Sequence, residues 1–336
     1  MRYIGNKQKL VDFIEKSIRE KLGTLDDKIF CDLFAGTNTV AKHFKNKCKK
    51  VISNDLEKYS YILAKHYIEN NQEKKYIEHF QKLNSLPPTT GIITQNFTPF
   101  AKCERMFFTI ENGQKIDAIR TKIEEWYQSK IINSSDYFYF LASLLESADK
   151  HANTTGVYGA YLKRFSGRSS QTFVLQAAPI IIGGEGKSYN QNANSLVGKL
   201  KGDILYLDPP YNSRQYGSNY HILNYIVDYK PIEFSINKKN VESKTGLSNN
   251  YNKSKYSIKN EVENALEELL INSLHFPWIF LSYNDEGLLS GEKIKSMFEK
   301  YGKYSLTTHD HKRYTSNHGQ NKRNSVVEQL HILKRT

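Results

Sequence analysis

Asp208-Pro209-Pro210-Tyr211-Asn212 gathers an acid, a stiff main-chain carbonyl and an aromatic face within one turn of chain. Before it, Ile204-Leu-Tyr-Leu207 is a short apolar run, which predicts a buried strand. The two prolines lack an N–H and have a fixed φ, so the strand must stop there and the turn after it is rigid. The acceptors and the ring therefore fall at the carboxyl end of a buried strand, where open α/β sheets bind ligands. An ordinary strand followed by a Pro-Pro turn would explain Asp-Pro-Pro alone. It explains the string less well once Tyr211 and Asn212 follow.

A second constellation lies near the N-terminus. Ile29-Phe-Cys-Asp-Leu-Phe34 reads as another buried strand, Gly36 permits a tight turn, and Asn38 to Phe44 starts a helix. Val51-Ile-Ser-Asn-Asp55 then ends in an acid nineteen residues past Gly36. That spacing suits an acid that hydrogen-bonds ribose hydroxyls, with Asp55 first and Glu57 second. Asp55 could equally cap the helix predicted from about Leu56. Before both, Gly5-Asn-Lys7 precedes a helix whose apolar residues recur at Leu10, Phe13, Ile14, Ile18 and Leu22.

Strands are predicted at about 29–34, 50–54, 203–208, 277–283, 303–308 and 326–333, separated mostly by helices. This is an open α/β sheet. Only a loop separates the final two strands, which predicts a hairpin. The alternation lapses between about 86 and 185, after a turn-rich Leu86-Pro-Pro-Thr-Thr-Gly91. There Asn112-Gly113 reads as a hairpin turn, and helices are predicted over 117–128 and 135–150. The segment 151–170 carries Asn153, Lys163, Arg164 and Arg168, residue types that contact phosphates and base edges. Residues 186–202 read as a polar linker, and 236–260 as a flexible basic loop. His221 is tempting as a general base, but a packed histidine fits better. His309-Asp-His311 invites a metal, yet no ligand cluster accompanies it. Lys312 and Arg313 beside it look like phosphate contacts, so no metal is expected.

The formal charge of +13 and the isoelectric point near 9.3 point to a polyanionic partner, with a membrane surface as the bland alternative. No apolar run reaches the length of a membrane span. Three cysteines without a CxxC pair read as reduced thiols, which predicts a cytoplasmic protein.

Asp208-Pro-Pro-Tyr211 in this setting resembles the catalytic motif of S-adenosylmethionine-dependent adenine-N6 DNA methyltransferases. The order also resembles the alpha group of restriction–modification enzymes, in which target recognition sits between cofactor loop and catalytic motif. The resemblance covers most of 1–60 and 190–335 and is weak through 85–185. It implies a Rossmann-like methyltransferase sheet with an antiparallel last strand plus an inserted, mainly helical target-recognition region. The expected division is a catalytic domain of 1–85 and 186–336 around a recognition region of 86–185. It implies catalysis by Asp208, Pro209, Pro210 and Tyr211: Asp208 and the Pro209 carbonyl each accept one amine hydrogen, and Tyr211 stacks on a flipped adenine. It implies S-adenosyl-L-methionine held by Tyr3, Lys7, Asp32, Phe34, Gly36, Asn38, Asp55 and Asn192. Asn38 replaces the second glycine of the family's cofactor loop, and Asn tolerates positive φ better than most residues. For Asn192, Asn194 is a rival. Arg214 and Tyr216 would hold the flipped base or its phosphate. Double-stranded DNA is the expected partner of a monomer or weak dimer, with a possible restriction endonuclease acting separately. The alternatives are an N-methyltransferase acting on RNA, cytosine or protein, and a catalytically silent nucleic-acid-binding protein of the same fold.

Overall fold

The computed structural model describes residues 3–73, 76–100, 104–236, 242–312 and 325–335. By its internal packing the chain divides into two compact units. One comprises Met1–Gly5, Glu57–Ile180 and Tyr216–Asn252, and the other Asn6–Leu56, Ile181–Gln215 and Lys253–Thr336.

The second unit holds a seven-stranded sheet: β1 (Ile29–Asp32), β2 (Lys50–Asn54), β3 (Glu185–Tyr189), β4 (Ile204–Leu207), β5 (Trp278–Asn284), β6 (Gly302–Lys312) and β7 (Ser325–Arg335). Their spatial order is β3-β2-β1-β4-β5-β7-β6. The first five run parallel to one another, whereas β7 is antiparallel to both β5 and β6. This is an open α/β sheet with an antiparallel last strand, as the resemblance implied. From β1 the chain winds outward through β2 and β3, then returns to start β4 on the other side of β1. The strand order therefore reverses between β1 and β4, and a crevice opens at their carboxyl ends. Asp32 ends β1 and Asp208 follows β4 there. β1 and β4 are apolar throughout apart from Asp32 because both their faces are covered.

The predicted linker over 186–202 is corrected in part: its start forms β3, an edge strand with the polar sequence Glu-Gly-Lys-Ser-Tyr. Edge strands carry charge and need little apolar alternation, so periodicity does not reveal them. Gly183 and Gly184 deliver it, since an added Cβ on either would collide with the backbone of Lys45 or Cys48. Helices Ala193–Val197, Val262–Asn272 and Gly291–Glu299 contribute Leu196, Leu266, Leu269 and Phe298 to a core against the sheet. Cys31 and Cys48 are buried free thiols; Cys103 lies outside the described residues.

The other unit is helical. Its longest helices are Ile110–Gln128 and Ser134–His151, the latter started by a capping box between Asn133 and Asp136. Asn112-Gly113 is not a hairpin turn but lies in the first turn of the former helix, where the Thr109 hydroxyl caps the Asn112 N–H. Tertiary contact overrides the local signal, because a Cβ at Gly113 would run into the Thr98 methyl. Thr98 is buried, and its hydroxyl donates to the Thr94 carbonyl at 2.6 Å, so it cannot turn away freely. Gly113→Ala should gain about 1 kcal/mol of helix propensity yet lose about 1–3 kcal/mol to overpacking. A lower denaturation midpoint is expected; a higher one would contradict this packing.

The predicted basic loop is partly ordered by an unexpected group. Buried Arg105 donates to the Ser243 carbonyl and pairs with Glu242, both at 3.0 Å, and its guanidinium stacks 4.5 Å from the Phe234 ring. Lys238 and Lys239 of that loop lie outside the described residues.

Candidate active site

The catalytic turn is built in the sheet unit. β4 ends at Leu207, Pro209 is buried, and Asp208 keeps 16 % of its side chain exposed, an edge open to a ligand. Behind that edge the Lys7 ammonium lies 3.1 Å from Asp208 Oδ1 and 2.7 Å from Glu328 Oε1. Lys7 stands in a short 3₁₀ turn started by Asn6, whose side chain accepts from the Gln8 N–H. Glu328 comes from β7, opposite Asn284 of β5, and also accepts from the Ser282 hydroxyl at 2.5 Å.

The electrostatics follow from burial. Burial pushes the Asp208 carboxyl up; Lys7 draws it back and Glu328 raises it again, leaving it at about 7. Burial alone would lower the Lys7 ammonium, but Asp208 and Glu328 outweigh it and hold it well above its usual range. Tyr211 packs edge-on against Tyr283 at 6.1 Å, and its carbonyl accepts from the Leu288 N–H. Lys7 Nζ lies 5.5 Å from its ring centre.

The glycine loop meets the same crevice. Gly36 and Asn38 take positive φ, 53° and 60°, so the asparagine does adopt the backbone expected of the missing glycine. Its side chain turns inward, accepting from Ser53 Oγ at 2.6 Å. Asp55 accepts from the Gly36 N–H at 2.7 Å and so ties the end of β2 to the loop; the following helix has Glu57, not Asp55, at its N-cap position. Asn54 holds the Leu33 and Gln191 carbonyls. Asp32 is buried, and its Oδ1 has no hydrogen-bond partner. Burial and the charges of Asp208 and Asp55 hold its carboxyl well above the usual range. Phe34 is half-buried, edge-on to Tyr256.

The sheet unit thus brings together Lys7, Asp32, Asp55, Asp208 and Tyr211. The other expected residues make the following contacts. Tyr3 belongs to the helical unit, stacked on Tyr220 at 4.5 Å and tilted against Tyr216 at 5.2 Å. Asn192 caps the helix Ala193–Val197, and Asn194 is spent on Ala265, Glu268 and Tyr256. Asn153 is buried, its amide bonded to the Met106 and Leu162 carbonyls and to Ser169, so it stitches a loop and does not face a base edge. Lys163, Arg164, Arg168 and Arg214 are exposed. Arg313 lies outside the described residues, and Lys312 is placed only as the end of β6. His221 is packed, as expected: its ring nitrogens lie 2.8 Å from the Ser218 and Thr245 carbonyls, and burial lowers it to about 4. No cluster of His, Cys, Asp or Glu able to hold a metal occurs among the described residues.

Sequence reasoning missed Glu328 and Ser282. The available signal was a lone acid inside the apolar Val326-Val-Glu-Gln-Leu-His-Ile-Leu333.

Residues 3–297 match the model of the D12 class N6 adenine-specific DNA methyltransferases. The chain belongs to that family. A D12 class methyltransferase needs a methyl donor and a DNA substrate. The chain is 45% identical to the type II methyltransferase M.NlaIII of Neisseria lactamica over the full length of both. It is 39% identical to M.FokI of Planomicrobium okeanokoites, where 95% of the chain matches 50% of that longer protein. It is 36% identical to M.CviAII of Paramecium bursaria Chlorella virus 1 over 93% of the chain and 92% of that protein. Among the described residues no helix of this methyltransferase is long and apolar enough to cross a membrane.

Proposed function

We propose that the chain moves a methyl group from S-adenosyl-L-methionine to the exocyclic amine of one adenine in a specific duplex DNA site. The observation that carries this reading is Asp208, open on one edge, backed by buried Lys7, at the point where the strand order reverses. The donor set suits the cofactor. Asp55, just after β2, accepts from the ribose hydroxyls in this reading. Asp32 offers a buried oxygen with no internal partner, suited to the cofactor's ammonium group. Gly36 and Phe34 line the loop between them. When bound, S-adenosylmethionine supplies a methyl group made electrophilic by its sulfonium sulfur.

The chain's own residues prepare the nucleophile. The adenine amine is poorly nucleophilic because its lone pair is delocalised into the ring. Asp208 and the Pro209 carbonyl each accept one of its hydrogens and draw the nitrogen toward a pyramidal geometry. The nitrogen gains the methyl carbon as the carbon–sulfur bond breaks, with that electron pair left on sulfur. Asp208 stabilises the positive charge that develops, and the surplus proton passes to water. Tyr211 stacks on the base. A base inside a duplex cannot reach these groups, so the adenine flips out at an unstacking and unpairing cost of a few kcal/mol.

Target recognition is assigned to residues 86–185, with exposed Lys163, Arg164 and Arg168 on phosphates, and Arg214 and Tyr216 serving the flipped nucleotide. The net charge of +13 supports a polyanionic partner. The names of the relatives support a role as the modification enzyme of a type II restriction–modification system. A separate cognate endonuclease, a cytoplasmic location and a monomer or weak dimer complete the proposal.

A pH profile tests the part given to Asp208. With its carboxyl at about 7, the charged acceptor is present above that pH and lost below it. The value of kcat/KM for methyl transfer to duplex DNA should fall about tenfold per pH unit below about 7. A flat profile down to pH 5 would contradict the assignment.

A further inference from the structure

Glu328 lies beyond the residues that match the family model, 3–297, and the reaction derived above does not use it. Its side chain and that of Lys7 are each only 4 % exposed, against 16 % for Asp208. Enclosed to this degree, Glu328 cannot touch a substrate; it acts on the reaction through its charge and through its neighbours. Those are the Lys7 ammonium at 2.7 Å and the Ser282 hydroxyl at 2.5 Å, both directed to the same oxygen, Oε1.

A lysine beside a buried catalytic acid presents a physical difficulty. Paired with Asp208 alone, the ammonium would close on it as a neutral ion pair and occupy lone pairs that the amine must reach. It would also oppose the positive charge that grows on the nitrogen. A second carboxylate changes both terms. Glu328 takes the shorter contact at 2.7 Å, and Lys7 still reaches Asp208 Oδ1 at 3.1 Å, so the ammonium is shared between the two carboxylates. With all three groups ionised, the cluster of one cation and two anions carries a net charge of −1 toward the reacting nitrogen. Sheet topology makes this arrangement possible. Because β7 runs antiparallel to β5, its Glu328 lies opposite Asn284, at the carboxyl edge of the sheet. The other titratable groups around this cluster are Asp32 at the end of β1, Tyr206 on β4, Tyr211, Glu286, and His309, which stands opposite Glu328 on β6.

We propose that Glu328 is a positioning residue for methyl transfer: it shares the Lys7 ammonium with Asp208, so weakening that ammonium's hold on the Asp208 carboxylate, and leaves the buried site with one net negative charge for the cationic transition state. This rests on the amine-methylation reading above.

The test compares Glu328→Gln with wild type in methyl transfer from S-adenosylmethionine to duplex DNA across pH 5.5–9. Gln keeps the shape and can still accept from Lys7 and Ser282, so the fold should persist. Expected results are a fall in kcat of about tenfold or more with KM for DNA and cofactor within about twofold. The acid limb should also move to lower pH, because the charge that raised Asp208 is gone. The double variant Lys7→Met/Glu328→Gln should lose less than the two single losses combined, since part of the effect of Glu328 runs through Lys7. Glu328→Asp, which restores the charge at a shorter reach, should return the limb toward the wild-type position. An unmoved limb in Glu328→Gln, or additive losses in the double variant, would overturn the proposal. If wild type methylates an acceptor other than adenine, the functional reading fails separately. The same comparison on that acceptor still decides the role of Glu328.

Discussion

Replacing Asp208 with alanine should lower methyl transfer by about 10³-fold or more while leaving duplex affinity within about threefold. The loss is large because the carboxylate acts chiefly in the transition state, where the amine nitrogen becomes cationic, and no nearby group can replace it. Glu328 is enclosed behind Lys7, and Asp32 sits on β1. Folding should survive, because Lys7 keeps its 2.7 Å partner Glu328 and the two form a neutral pair. Binding should survive because the exposed basic residues are untouched. Single-turnover transfer and duplex binding, measured together on the same preparation, decide the point. Loss of folding or of binding would show that Asp208 is structural.

The second large effect concerns stability. Lys7→Met removes the cation between two carboxylates and should cost about 3–5 kcal/mol at pH 8, the usual penalty for breaking a buried pair from one side. The cost should depend on pH with a definite sign. Asp208 is already raised to about 7 with Lys7 present and rises further without it. A folded-state value above the unfolded one means that ionisation works against the fold. The deficit is therefore greatest at alkaline pH and shrinks as pH falls toward 7, where the Asp208 carboxyl takes up its proton in both proteins. Urea titrations of both proteins at pH 8.5 and 6 measure it. A deficit that is equal at both, or larger at pH 6, would mean that Lys7 contributes packing and not charge.

Much of this site was legible from spacing and residue type. The apolar run ending in Asp208-Pro-Pro-Tyr211 located the crevice, because a strand that hits two prolines must deliver its last residues to the sheet edge. Asn38 was readable as a residue able to take positive φ, and it does so at 60°. What sequence alone did not show was long-range pairing. Lys7 and Glu328 are 321 residues apart, and nothing local marks them as partners. The polar strand β3 was invisible for a related reason: an edge strand is held by backbone bonds to β2, not by an apolar pattern. Gly113 misled in the opposite way, since a turn-forming dipeptide was absorbed into a helix that needs a residue without a side chain beside Thr98. Asn153 had the right chemistry for a base edge, but its amide is spent on the Met106 and Leu162 carbonyls.

The most direct test of the central claim is transfer of a labelled methyl group from S-adenosylmethionine to unmethylated duplex DNA, followed by nucleoside analysis of the product. The account predicts label in N6-methyladenine, confined to one sequence context and absent with Asp208→Ala. Label found instead in RNA, in protein or in a cytosine, or duplex binding without any transfer, would contradict it.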